Sequence, residues 1–113
     1  MNAKQFAAAL REEVVEANLT TYHQLFAQTS AAEATDTYWK AALALYAQLD
    51  ERQRETLFGI LRQVMVDTTS NILAILDGAS RLENETEELS LMCGDERISG
   101  DLQDVFLELE ERE

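Results

Sequence analysis

The sequence contains few side chains that could act as nucleophiles or metal ligands. It has one histidine, His23, and one cysteine, Cys93, so no two His or Cys ligands lie at zinc spacing. Its four glycines are too scattered for a phosphate-binding loop, and no Gly-x-Ser-x-Gly segment is present. We therefore predict no enzyme, no metal site and no cofactor. We expect Cys93 to pack as a small apolar side chain and His23 to be a surface or hydrogen-bonded helix residue.

Carboxylates are the abundant chemical group of this chain, and they are distributed unevenly. The formal net charge is −13. Residues 83–113 hold twelve acidic and two basic residues, whereas residues 1–82 hold ten acidic and seven basic ones. A field of this sign repels nucleic acid and anionic membranes and attracts basic proteins or cations. We therefore predict a basic protein partner and no binding to nucleic acid or to a membrane.

The last predicted helix carries the acidic residues that we expect to contact this partner. They recur three or four residues apart and so share a helix face: Asp101, Asp104, Glu108 and Glu111. Further carboxylates surround this set, at Glu83, Glu85, Glu87, Glu88, Glu110 and Glu113. The alternative interpretation is a solvated face that only increases solubility.

A second group of polar residues lies on the polar side of the longest predicted helix. It consists of Asp67, Ser70, Asn71 and Asp77. Together they could line a small pocket for a small ligand or a divalent cation, and the alternative is an ordinary solvated helix face.

The positions of these groups depend on the helices that carry them. Hydrophobic periodicity predicts helices over 3–28, 36–49 and 51–77, with weak helix formers favouring a kink near residues 18–21. Capping-box patterns and Asp77-Gly78 set the ends of the longest helix. The breadth of its apolar surface indicates a central helix touched on more than one side. Four of its residues are expected to be core: Leu61, Val64, Ile72 and Ile75.

Beyond residue 79 the pattern changes to that of strands. Leu89, Leu91 and Cys93 alternate with Ser90 and Met92, which is the period of a strand. Gly94-Asp95 has the form of a hairpin turn, and 96–99 can return as a second strand. A last helix follows Ser99-Gly100-Asp101. The predicted fold is mainly α (α+β): a three-helix N-terminal bundle followed by a short β-hairpin and a C-terminal helix, in one domain over 1–113.

The cellular setting follows from cysteine content and hydropathy. A single cysteine excludes an intramolecular disulfide, which fits a reducing compartment. The first residues lack a signal-peptide apolar run, and no stretch approaches the roughly 18 apolar residues that span a bilayer. We predict a cytoplasmic protein.

Two segments resemble a family of small, acidic, uncharacterised bacterial and mobile-element proteins. They are 57–78, with Arg62-Gln-Val-Met-Val-Asp67 and Ile75-Leu-Asp-Gly78, and 98–108, Ile-Ser-Gly-Asp-Leu-Gln-Asp-Val-Phe-Leu-Glu. The resemblance implies the same order of elements and a bacterial cytosolic setting, and it brings no catalytic residues.

From the charge distribution we expect a non-enzymatic, acidic protein-interaction module that binds a basic target. An immunity, antitoxin or inhibitor protein would be a module of this kind. One alternative is a protein that binds a small ligand or divalent cation on the polar face of the long helix. Another is a structural homodimer joined through the hairpin, because two strands alone are marginal in water.

Overall fold

The first helical stretch is continuous, but its hydrogen-bonding pattern changes in the middle. The computed structural model describes residues 1–80, 82–83 and 87–111. It divides this stretch into α1 (Ala3–Leu10), a π-helical segment (Arg11–Glu16) and α2 (Ala17–Gln28). The predicted helix over 3–28 is confirmed. The irregularity in hydrogen bonding lies at the π-helical segment, before the weak helix formers at 18–21, which lie within α2.

The next two helices begin at aspartates that cap their first turns. The Asp36 side chain accepts a hydrogen bond from the Tyr38 amide (2.8 Å) at the start of α3 (Thr37–Gln48). Asp50 and Gln53 form a reciprocal capping box at the start of α4 (Glu51–Leu76). Gly78 lies just beyond α4 with φ +79°, a backbone conformation that favours glycine. Both predicted helices are confirmed to within one residue at each end.

The C-terminal part contains the predicted hairpin in a shorter form. β1 (Met92–Cys93) pairs antiparallel with β2 (Glu96–Arg97) around a turn at Gly94, and α5 (Leu102–Glu111) follows. The mainly helical fold and its order of elements are therefore confirmed. Glu85 and Glu113 of the acidic set lie outside the described residues.

The hydrophobic core joins both ends of the chain. α5 packs against α1 and α4, and the core also includes the π-helical segment and α2. Its buried members are Ala7, Val15, Leu19, Phe58, Val66, Leu73, Leu102 and Phe106. The C-terminal helix thus completes a core that begins with the first helix.

The predicted core stripe of α4 was wrong in its orientation. Val64 and Ile72 are 56% and 53% exposed, and Leu61 and Ile75 are only partly buried. The buried side of α4 carries Phe58, Val66 and Leu73, roughly 130° away around a helix with 3.6 residues per turn. The cause is that α4 is apolar on two sides, and periodicity alone does not tell which side faces the chain's own core.

The exposure of Cys93 also differs from the prediction. The thiol is exposed, because only the base of the hairpin reaches the core: Leu91 is half-buried and Ile98 is 5% exposed. The Ile98 amide donates to the Leu91 carbonyl (2.9 Å), which holds the hairpin base together. The tip that carries Cys93 lies beyond this anchor.

The first prediction concerns the core. Leu73→Ala removes a fully buried side chain and should lower the free energy of unfolding by about 2–5 kcal/mol in urea melts. Leu82→Ala is the matched control, because Leu82 is 53% exposed, and its loss should stay within about 0.5 kcal/mol. Equal losses in the two variants would contradict the assignment of the core.

Candidate protein-interaction surface

Asp77 connects the end of α4 to the start of α5. Its Oδ1 accepts hydrogen bonds from the amides of Gly100 (2.6 Å) and Leu102 (3.0 Å), and its Oδ2 accepts from the Gln103 amide (2.9 Å). The first amides of a helix have no partner within the helix, and a carboxylate there also interacts favourably with the helix dipole. Asp77 therefore acts as a cap supplied from a distant part of the chain.

The other residues of the predicted ligand face have different surroundings. Ser70 is buried, and its Oγ accepts a hydrogen bond from Gln103 Nε2 (3.0 Å). Asp67 is exposed and accepts from Gln63 Nε2 (2.8 Å), and Asn71 is exposed. Two of the four side chains, Ser70 and Asp77, thus hold α5 on α4. A ligand or cation site on this face stays a prediction.

A second connection to α5 is an ion-pair cluster around Glu110. Glu110 Oε2 accepts from Arg11 Nε (3.0 Å), while its Oε1 accepts from Arg62 Nε (2.9 Å). Arg62 Nη2 also lies 2.7 Å from Glu16 Oε1. The cluster joins the π-helical segment, α4 and α5, and its four side chains are between 15% and 34% exposed.

The π-helical segment explains how Arg11 and Glu16 enter the same cluster. Residues five apart in a regular α-helix point about 140° away from each other. The wider i→i+5 turn brings such residues nearer to one side, and Arg11 Nη2 lies 3.9 Å from Glu16 Oε1. The pKa of Arg62 is raised, mainly because its side chain is hydrogen-bonded to Glu16. Burial lowers the pKa of Arg62, and the interaction with Glu110 raises it further. Arg62 therefore stays charged within the cluster.

Three of the predicted partner-binding residues lie on the outside of α5, and the fourth, Asp101, is the residue just before it. Asp101, Asp104, Glu108 and Glu111 are all exposed, and a rotation of 100° per residue places them within an arc of about 80°. Phe106 lies on the opposite side, fully buried. We call these four residues the acidic face. Glu110 belongs to the ion-pair cluster instead, a difference that spacing alone did not reveal.

A second exposed surface is apolar and was not predicted. Its α4 part contains Val64 and Ile72, which are more than half exposed, and Leu57 and Leu61, which are partly buried. A groove of about 330 Å³ continues it onto α2 and α3 and is lined by Tyr22, Phe26, Tyr38, Ala41, Ala42, Leu45, Leu57 and Leu61. We call the surface formed by Tyr38, Leu45, Leu57, Leu61, Val64 and Ile72 the α3–α4 face.

Aromatic side chains attach α3 to the rest of the molecule. The Tyr46 and Phe26 rings stack with centroids 4.4 Å apart, and Trp39 lies against Tyr22 (5.8 Å) and Phe26 (6.2 Å). His23, which is exposed as the sequence allowed, stacks on Phe58 at 3.6 Å. Ring contacts of this kind stabilise a fold by more than the burial of their apolar area alone.

The described part of the chain contains neither a metal-binding cluster nor a membrane-spanning helix. Among residues 1–80, 82–83 and 87–111, no three or more His, Cys, Asp or Glu side chains form a group that could hold a metal ion. No helix in these ranges combines the length and the apolar character needed to cross a membrane.

The chain matches no protein-family model, no curated protein and no solved structure. Its resemblance to small acidic bacterial and mobile-element proteins therefore stays a prediction.

The second prediction tests the cap. Asp77→Ala leaves three amides at the start of α5 without their acceptor, so the free energy of unfolding should fall by about 1–3 kcal/mol in urea melts. Hydrogen exchange at the Leu102 and Gln103 amides should accelerate. Asp67→Ala removes the same charge from an exposed position on the same helix and should change neither measurement. Unchanged exchange in Asp77→Ala would contradict the cap.

The third prediction compares two adjacent glutamates. Glu110→Gln removes the charge that Arg11 and Arg62 share in a partly buried cluster, so thermal or urea unfolding should show a loss of about 1–3 kcal/mol. Glu111→Gln removes the same charge from the exposed acidic face and should be neutral or slightly stabilising. Equal effects of both substitutions would show that Glu110 is only a surface carboxylate.

Proposed function

We propose that this chain is a non-enzymatic protein-interaction module whose acidic face binds a basic protein, as an immunity, antitoxin or inhibitor protein would. The observation that carries the proposal is the grouping of Asp101, Asp104, Glu108 and Glu111 on the exposed side of one helix. Their four carboxylates form a continuous strip about 15 Å long, at 1.5 Å of rise per residue.

The helix beneath this strip is held at both ends and along its inner side. Asp77 caps its first turn, Glu110 fixes its last turn to two arginines, and Phe106 fills the core between them. A rigid element presents its charges in one arrangement, so little conformational entropy is lost when a partner binds. This rigidity favours recognition over a role in solubility alone.

The chemistry of the partner follows from the charge. A complementary surface carries Lys or Arg side chains at spacings that meet successive turns of α5. Attraction between such surfaces accelerates encounter and rejects partners of like charge, more than it adds to affinity. The acidic excess of residues 83–113 extends this field around the strip.

The fourth prediction tests the acidic face with a triple variant, Asp104→Asn with Glu108→Gln and Glu111→Gln. The control variant, Glu12→Gln with Glu13→Gln and Glu55→Gln, changes three exposed carboxylates elsewhere and gives the same net charge. Each protein is used in a parallel pull-down from the source cell. Basic partners should be recovered by the native and control proteins and lost with the acidic-face variant.

Association kinetics with a recovered partner then separate a directed contact from general charge. The on-rate of the native protein should fall as salt rises, since the Debye length shrinks from about 30 Å at 0.01 M to about 10 Å at 0.1 M. The acidic-face variant should associate more slowly at low salt while keeping its circular dichroism spectrum. Recovery of the same partners by all three proteins would show that the acidic face is only solvated surface.

A further inference from the structure

We propose that two copies of this chain associate through their α3–α4 faces, so that each copy covers the apolar side of α4 that its own fold leaves exposed. This inference does not rest on the proposed function, because it concerns a different surface. It also differs from a dimer formed through the hairpin.

The shape and chemistry of the α4 part of the face favour a second copy as its partner. Between Leu57 and Ile75, an arc of about 120° around α4 is almost continuously apolar over a length of about 27 Å. It contains no charged residue, and its polar members are Thr68 and Asn71. An uncharged apolar strip of this length is complementary to a second copy of itself, as a two-fold interface requires.

The chain has a larger accessible area than a compact monomer of its mass. Its surface measures 7752 Å², about 1,500 Å² more than a folded monomer of 12.8 kDa usually exposes. A standard protein–protein interface buries about 800 Å² on each partner. The radius of gyration, 17.6 Å, likewise exceeds the roughly 13 Å expected for a compact domain of this length. The excess area is sufficient for one interface per chain.

α3 packs on little of the described part of its own chain. α5 runs close to both α1 and α4, whereas the described part of α3 makes no comparably broad backbone approach to another helix. Inward-pointing Trp39 and Tyr46 hold it, while Tyr38 and Leu45 on its outer side are 63% and 55% exposed. A second copy placed on this side would give α3 the packing that its own chain lacks.

The acidic face of α5 is separated from the α3–α4 face. α5 packs on the buried side of α4, which carries Val66 and Leu73, so the acidic face lies away from the α3–α4 face. Two chains of charge −13 repel each other, and this arrangement keeps their most acidic helices apart. The same net charge disfavours an anionic membrane as the surface that covers the apolar strip.

The fifth prediction is the test of this dimer. Sedimentation equilibrium of the native protein at about 100 µM should give twice the chain mass of 12.8 kDa, since interfaces of standard size bind with micromolar affinity or better. Val64→Lys and, independently, Ile72→Lys should weaken association by at least about 100-fold, because each buries an unpaired charge in an apolar interface. Both positions are exposed in the single chain, so each variant should retain its helical circular dichroism spectrum.

Met92→Lys is the matched control. Met92 is 49% exposed on the hairpin, so this variant gains the same charge outside the α3–α4 face and should remain dimeric. A native protein that sediments as a monomer, or as more than two copies, overturns the inference. So does a dimer that survives both α4 substitutions, or one that Met92→Lys dissociates, which would place the contact at the hairpin.

Discussion

The organisation of this protein depends on one constraint: its central helix is apolar on two sides, and the described part of the chain buries only one of them fully. Phe58, Val66 and Leu73 lie on the side of α4 that meets α5, the π-helical segment and α2, and they belong to the core. Val64 and Ile72, on the other side, remain exposed. Burying apolar area is the main force that stabilises a fold, and this strip is the surface that we propose a second copy covers.

The C-terminal helix completes the core from the covered side of α4, although it is the most acidic element. Burial of Leu102 and Phe106 attaches it, while the Asp77 cap and the Glu110 cluster use carboxylates to fix its two ends. Carboxylates that meet amides or arginines fix the helix, whereas Asp101, Asp104, Glu108 and Glu111 are exposed on its outer side.

Sequence reasoning predicted the elements better than their orientation. Caps at Asp36 and Asp50 and the turn at Gly94 act within a few residues, so local sequence determines them. Which apolar side of α4 is buried depends on contacts with α5, the π-helical segment and α2, which lie far away in sequence. The role of Asp77 as a cap for a helix that starts 25 residues later, and the π-helical segment at Arg11–Glu16, are likewise products of tertiary packing. The exposure of the acidic face could be predicted, because it follows from spacing within one helix.

The two proposed contacts lie on different sides of α4 and can therefore exist together. If two chains join through their α3–α4 faces, each keeps its acidic face outside the contact, and the pair presents two such faces. A basic partner with two sites, or a partner that is itself a dimer, would then bind at an effective concentration set by the spacing of the faces. Affinity could rise in this way without further carboxylates on either chain. The dimer would also bury the apolar side of α4 that a single chain exposes, so that selection of a basic partner would depend on the acidic face.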